Sequence, residues 1–288
     1  MPAATTRSMQ VITGVEAMRA AVRGLHRGGE TVGFVPTMGA LHEGHLSLID
    51  AAAAECDRVA ASIFVNPTQF GPNEDFTKYP RPLERDLELL RGRGCELVFV
   101  PEAAEMYPEG YGTSIDVGAV AVPWEAAARP GHFAGVATVV LKLFECVPAD
   151  RAYFGRKDYQ QTLVVKRMVA DLNLPIDVRV CPIVRDADGL ALSSRNVYLS
   201  PDGRRRALAL SQSLRLAEEI ISGGERNAIV VRERMLALIA SVGDVGVEYV
   251  AIVRDGTVDE VAQIDGPVTI AVAARVGTTR LIDNVRFG

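Results

Sequence analysis

The 288-residue chain has no Cys-x-x-Cys pair, no G-x-G-x-x-G after its first strand-like run, no membrane-length apolar run, no low-complexity tract and no internal repeat. Its four cysteines, Cys56, Cys95, Cys146 and Cys181, lie far apart in or beside apolar runs. They read as buried free thiols in a reducing compartment, not as a disulfide framework. Met1 to Gln10 is polar, and Val11 to Arg27 mixes apolar with charged residues, so no signal-peptide core is visible and the expectation is a cytoplasmic protein with no membrane partner. Basic charge is also in short supply: 31 Lys and Arg against 36 Asp and Glu give a net charge of -5. A nucleic-acid-binding face is therefore not expected, although a local basic pocket is allowed.

What is present is enough apolar residue, 48% of the chain, for one large core or two smaller ones. Apolar strand-like runs at Thr31 to Val35, Val59 to Val65, Leu97 to Val100, Arg151 to Phe154 and Ile176 to Cys181 alternate with helical periodicity over Leu46 to Cys56, Leu83 to Arg93, Phe133 to Val147 and Tyr159 to Leu172. That alternation predicts an α/β fold, a Rossmann-like doubly wound parallel sheet covered on both faces, with a phosphate-binding device other than the dinucleotide fingerprint. After Val184 the pattern changes. Ser200-Pro201-Asp202 predicts an N-cap, a first-turn proline and a helix to about Ile221 ended by Gly223-Gly224; a helix over Ala228 to Ser241 and strands at Val247 to Val253, Val268 to Ala274 and Thr279 to Val285 follow. The expected domains are 1–184 and a smaller α+β unit, 185–288.

The run Pro36-Thr37-Met38-Gly39-Ala40-Leu41-His42-Glu43-Gly44-His45 joins the first strand to a helix and sets two of the four histidines at a helix N-terminus. Unpaired N–H groups and the positive end of the macrodipole attract an anion there, and imidazole N–H groups add donors, so the run reads as a phosphate site. Zinc is disfavoured, because the spacing is three and no third ligand cluster is visible. Asn66 and Gln69 end a strand where open α/β sheets bind ligands; for Asn66 alone a capped turn is the better explanation, whereas Gln69 is harder to explain as a turn. Gly155, Lys157, Asp158 and Gln161 surround the start of another helix, and Leu192-Ser193-Ser194-Arg195 offers two hydroxyls and a guanidinium suited to a leaving pyrophosphate.

Taken in order, P-T-M-G-A-L-H-E-G-H, F-V-N-P-x-Q-F, Y-P-R, R-P-G-H-F-x-G-V, K-D-Y-Q-Q and S-S-R-N resemble the pantoate–β-alanine ligase (pantothenate synthetase) family of the H-x-G-H nucleotidyltransferase superfamily over nearly the whole chain. The resemblance implies that pantoate and ATP form pantoyl adenylate and pyrophosphate, and that β-alanine then gives pantothenate and AMP, with Mg2+ on the ATP phosphates and a homodimeric assembly. It implies catalytic roles for His42, His45, Lys157, Ser193, Ser194 and Arg195. ATP contacts would come from Pro36, Met38, Gly39, His42, His45, Gly155, Lys157, Asp158, Val184, Leu192, Ser193, Ser194 and Arg195. Gln69, Gln161, Asn66 and His132 would serve the substrates, with Val140 and Leu143 near pantoate, and Asp86 would be a magnesium ligand. Departures from the family pattern are Arg156 for the usual Glu, Leu192 for Met, Arg85 before Asp86 where an acidic pair is usual, and Trp124-Glu125-Ala126 for L-E-G. Rival readings are a nucleotidyltransferase acting on a phosphorylated substrate and a silent nucleotide-binding module.

Overall fold

The structure, a computed structural model, describes residues 8–71, 74 and 76–288. In chain order its elements are β1 (Gln10–Ile12), α1 (Val15–Arg27), β2 (Val32–Thr37), α2 (Glu43–Glu55), β3 (Arg58–Ile63), α3 (Leu83–Gly92), β4 (Leu97–Phe99), α4 (Ala103–Met106), α5 (Glu125–Ala128), α6 (His132–Cys146), β5 (Arg151–Gly155), α7 (Tyr159–Asp171), β6 (Asp177–Cys181), α8 (Pro201–Ser222), α9 (Ala228–Ser241), β7 (Val245–Arg254), β8 (Val268–Val276) and β9 (Thr279–Phe287).

Two compact units result: one runs to Gly155 and resumes over Val164–Cys181, and the other comprises Arg156–Leu163 with Pro182–Gly288. The sequence assigns Arg156–Leu163 to the first domain. The segment groups with the second unit because the Arg156 side chain and the carbonyls of Arg156 and Lys157 bond to residues beside and within the antiparallel sheet.

The first unit holds a six-stranded sheet in the order β1-β4-β3-β2-β5-β6, every pairing parallel. Successive residues enter different cores, as the period of two in a strand requires. Phe34 and Phe99 pack with α1 and α6 residues such as Met18 and Phe144, while Val35 and Val98 pack with Ile49 of α2 and Leu90 of α3. Both faces are therefore covered, the condition that lets strands be apolar throughout. Strand order reverses between β2 and β5, so the carboxyl ends of these two strands flank the switch point where such sheets bind ligands.

The second unit is an antiparallel sheet, β7-β8-β9, covered by α8 and α9. Leu210, Leu214, Met235 and Ile239 of the helices meet Ile252, Ile270 and Val272 of the strands. Pro201 opens α8 after Ser200, whose hydroxyl accepts the Gly203 N–H, and Gly223 closes it. Among the described residues no helix is long and apolar enough to cross a membrane.

Candidate active site

The loop after β2 is held rather than slack. Gly39 has φ +81°, and a Cβ there would lie 2.9 Å from Asp86 Oδ2 and 3.0 Å from Ile63 Cγ2, so only glycine fits. Ala40 follows with φ +51°, a left-handed conformation costing an alanine about 1–2 kcal/mol. Asp86 offsets that cost: its Oδ2 accepts the Ala40 N–H at 2.7 Å and its Oδ1 the Leu41 N–H at 2.8 Å. Burial pushes the Asp86 carboxyl up, against the pull of those two N–H groups. Asp86, expected as a magnesium ligand, thus has both oxygens committed to the loop. It is 0 % exposed, so its role here is that of an anchor.

The same loop ends in a cap built from two imidazoles. His42 is the N-cap of α2; its Nδ1 accepts the Gly44 N–H at 3.1 Å, and His45 Nδ1 takes the His42 N–H at a long 3.4 Å. An Nδ1 that accepts carries no proton, so each neutral ring carries its proton on Nε2. The rings lie with centroids 4.1 Å apart. Two half-buried rings therefore stand at the positive end of α2, each bearing its N–H on the atom remote from the cap. Met38, four residues before His42 in the loop, accepts through its sulfur from Gln69 Nε2 at 3.1 Å, so the loops after β2 and β3 touch.

Gln69 sits in a 3-10 turn, Pro67–Gln69, and is oriented by Asn66. Asn66 Nδ2 donates to Gln69 Oε1 at 3.1 Å and to the Gly135 carbonyl at 3.2 Å, while its Oδ1 accepts from Tyr107 Oη at 2.7 Å and Thr68 Oγ1 at 3.0 Å. With both hydrogens and the oxygen occupied and 1 % exposure, Asn66 is an internal brace, in place of the substrate contact expected for it. Its orientation of Oε1 turns the Gln69 Nε2 toward the Met38 loop.

His132, also expected at the substrate, is braced in the same way. Its Nδ1–H donates to the Gln69 carbonyl at 2.9 Å, and its Nε2 accepts from Arg129 at 2.9 Å, which fixes the neutral Nδ1–H tautomer. Burial, reinforced by the Arg129 charge, brings its pKa down to about 4 even though the Gln69 carbonyl pulls upward. Arg129 in turn forms a bidentate pair with Glu74 at 2.6 Å on both arms. Val140 and Leu143 lie in the α6 core beneath, where packing accounts for them.

In the second unit, Lys157 and Asp158 occupy a 3-10 turn, Arg156–Asp158, directly after Gly155 in sequence, and α7 begins at Tyr159 with Gln161 half-buried on its first turn. Lys157 and Asp158 form a long ion pair of 3.9 Å. Arg156, the departure from the usual Glu, donates to Asp255 and Thr269 at 2.8 Å each and lies over the Tyr159 ring. Its charge is matched locally. Val184 and Leu192 pair across a short hairpin by an N–H to carbonyl bond of 3.0 Å, and Ser193 caps the 3-10 turn Ser194–Tyr198 by accepting the Arg195 N–H at 3.3 Å. Leu192 to Arg195 are all half-buried. Residues the sequence reading passes over include Arg129, Asp283 and Asn284; Arg129 opens the R-P-G-H-F run, whereas nothing near the C-terminus signals the other two.

The sequence matches the family model described as pantoate-beta-alanine ligase over residues 10–286. A pantothenate synthetase of Roseiflexus sp. (strain RS-1) is 54% identical over 276 residues, 96% of this chain and 98% of the relative. The crystal structure of pantothenate synthetase from Thermus thermophilus superposes with a TM-score of 0.91 at 47% identity, covering 96% of this chain and 99% of that one. The pantoate-beta-alanine ligase of Francisella tularensis, solved with beta-gamma ATP and beta-alanine, gives 0.80 at 33% identity over 96% and 97%. Matches spanning nearly the whole chain, around a loop and turns built as described, place it in the pantoate–β-alanine ligase family.

Proposed function

We propose that this enzyme, an ATP-dependent ligase of pantoate and β-alanine, works through pantoyl adenylate, releasing pyrophosphate and then AMP. A pantoate carboxylate oxygen attacks the α-phosphorus as the bond to pyrophosphate breaks; the β-alanine nitrogen then attacks the acyl carbon, the bond to AMP breaks and the amine loses a proton. The carboxylate is already ionised at neutral pH, so the first step needs alignment and charge neutralisation more than a base. The observation that best supports this reading is the pair of Nε2–H imidazoles at the N-terminus of α2, at the switch-point end of β2.

His42 and His45 donate Nε2–H hydrogen bonds to the reacting phosphate and Lys157 neutralises its charge; Ser193, Ser194 and Arg195 bind the leaving pyrophosphate. Pro36, Met38, Gly39, Gly155, Asp158, Val184 and Leu192 serve the nucleotide. Gln69 and Gln161 hold pantoate, Gln69 through an amide that Asn66 has already oriented. Domain 1–184 binds ATP and pantoate and 185–288 acts as the lid, with the segment Arg156–Leu163, which groups with the second unit, contributing Lys157, Asp158 and Gln161. Among the described residues no three His, Cys, Asp or Glu side chains are placed to hold a metal, and Asp86 has both oxygens engaged, so magnesium enters as part of the Mg–ATP substrate. A homodimer in the cytoplasm completes the proposal, supported by the family resemblance and by four free cysteines.

The test mixes purified protein with Mg–ATP and pantoate in single turnover. A pantoate-dependent pyrophosphate burst, with AMP and the amide appearing only after β-alanine is added, is the expected result. Turnover with a phosphorylated substrate instead of pantoate would overturn the reading in favour of a nucleotidyltransferase.

A further inference from the structure

Two consecutive residues of β9, Asp283 and Asn284, are 3 % and 2 % exposed and spend their polar groups on the two segments assigned to ATP in the second unit. Asn284 Nδ2 donates to the Arg156 carbonyl at 2.9 Å and to the Lys157 carbonyl at 3.0 Å. Asp283 accepts both arms of the Arg185 guanidinium, at 2.6 and 2.9 Å. Arg185 pairs with Ala191 across the short hairpin, and it also donates to the Gly189 carbonyl at 3.2 Å, so the hairpin that leads into Leu192–Arg195 is closed at its base.

The Asn284 amide carries a cost that identifies what it is for. Its Oδ1 is buried and has no hydrogen-bond partner among the described residues. Flipping the amide would aim that oxygen at two carbonyl oxygens, so the NH2 group must face the turn and the acceptor is left over. The buried NH2 group thus grips two successive carbonyls of the turn that carries Lys157. Among the described residues the Lys157 ammonium makes only a long ion pair with Asp158, 3.9 Å, too weak to orient it, so the backbone sets where it projects. Arg156 completes the grip from the other side through Asp255 and Thr269.

We propose that Asn284 and Asp283 are positioning residues for adenylate formation: Asn284 fixes the backbone from which Lys157 projects, and Asp283 fixes the base of the loop bearing Ser193, Ser194 and Arg195. The proposal rests on the function assigned above. A positioning residue acts only through the group it places, which makes it separable from a residue that merely stabilises the fold.

The experiment is a double-mutant cycle on the single-turnover rate of pantoyl adenylate formation. Asn284→Asp keeps the shape but offers two acceptors to the two carbonyls. In the otherwise wild-type enzyme it slows adenylation on the order of tenfold or more, whereas in a Lys157→Ala background it adds little, because the group it placed is gone. Thermal unfolding of each variant fixes the folded fraction used to normalise the rates. Equal slowing in both backgrounds, or no slowing in either, overturns the proposal. Absence of adenylate from the wild-type enzyme overturns the functional reading instead. Should Asn284→Asp not fold, Asp283→Asn is read against Arg195→Ala in the same way, with the same two opposing outcomes.

Discussion

A Cβ on Gly135 would lie 2.4 Å from the carbonyl oxygen of Thr68, closer than any real side-chain contact. α6 therefore packs its backbone directly on the turn that presents Gln69, and Asn66 seals the junction by donating to the Gly135 carbonyl. Gly135→Ala must move the turn, not just a side chain, since the opposing atoms are backbone. It is expected to cost about 1–3 kcal/mol of stability, measurable by urea unfolding, and to raise the pantoate requirement more than the ATP requirement in steady-state kinetics. Equal effects on both ligands would contradict the assignment of Gln69 to pantoate.

The cap that His42 forms and the phosphate contact proposed for it can be separated. His42→Asn keeps an N-cap acceptor, since asparagine caps as well as any residue, but has no Nε2–H. The variant is expected to hold its unfolding free energy within about 0.5 kcal/mol while adenylate formation slows on the order of a hundredfold. Loss of stability in step with activity would reduce His42 to a cap.

Asp86→Asn tests whether the carboxylate holds the loop or a metal. An asparagine can accept only one of the Ala40 and Leu41 N–H groups, and its NH2 would face the other, at an expected cost of about 1–3 kcal/mol. Activity falls, but the magnesium concentration giving half-maximal rate at saturating ATP stays where it is in the wild type. A marked rise in that midpoint would restore Asp86 as a ligand.

His132 gives the protein a pH dependence of predictable sign. Its folded pKa, about 4, is below the ordinary 6.5, so as pH falls the unfolded chain takes up the proton first and stability declines between about 6.5 and 4. Between pH 7 and pH 5 the loss from this residue comes to about 2 kcal/mol. Asp255, brought down to about 2 by Thr269, Arg156 and Arg286 against its own burial, keeps its contribution above 3.8 and loses it only at lower pH. His132→Asn, which cannot take up the proton, should flatten the decline in urea midpoint between pH 7 and 5; an unchanged decline would show that His132 is not its source.

Much of this was legible in the sequence because it rested on periodicity and caps. The strands β2, β3, β5 and β6 and the helices α2, α3, α6, α7, α8 and α9 follow the apolar pattern to within a few residues, α9 from Ala228 to Ser241 as expected. β1 and α1 were not legible: β1 has three residues, mostly exposed, and is ordered by parallel pairing of Gln10 with the distant Leu97 of β4. Within the site, the glycine-bearing turn and the placing of two histidines at a helix N-terminus were readable, as they depend on local chemistry, whereas the capping of α2 by the imidazole nitrogens themselves was not. The bracing of Asn66 and His132 was not, since Gly135 and Tyr107 reach Asn66, and Gln69 reaches His132, only through the tertiary fold. Asp283 and Asn284 are more remote still, reaching Arg185 and the Lys157 turn across separations of 98 and 127 residues.

The acyl adenylate itself can be followed by one label. Pantoate carrying 18O in its carboxylate, turned over with ATP and β-alanine, is analysed by mass spectrometry of the nucleotide product. Because the carboxylate oxygen that attacks the α-phosphorus leaves with it when the amine displaces the nucleotide, one 18O is predicted in AMP. AMP free of label, or label found in inorganic phosphate beside ADP, would contradict the adenylate and require activation of pantoate at a different phosphorus.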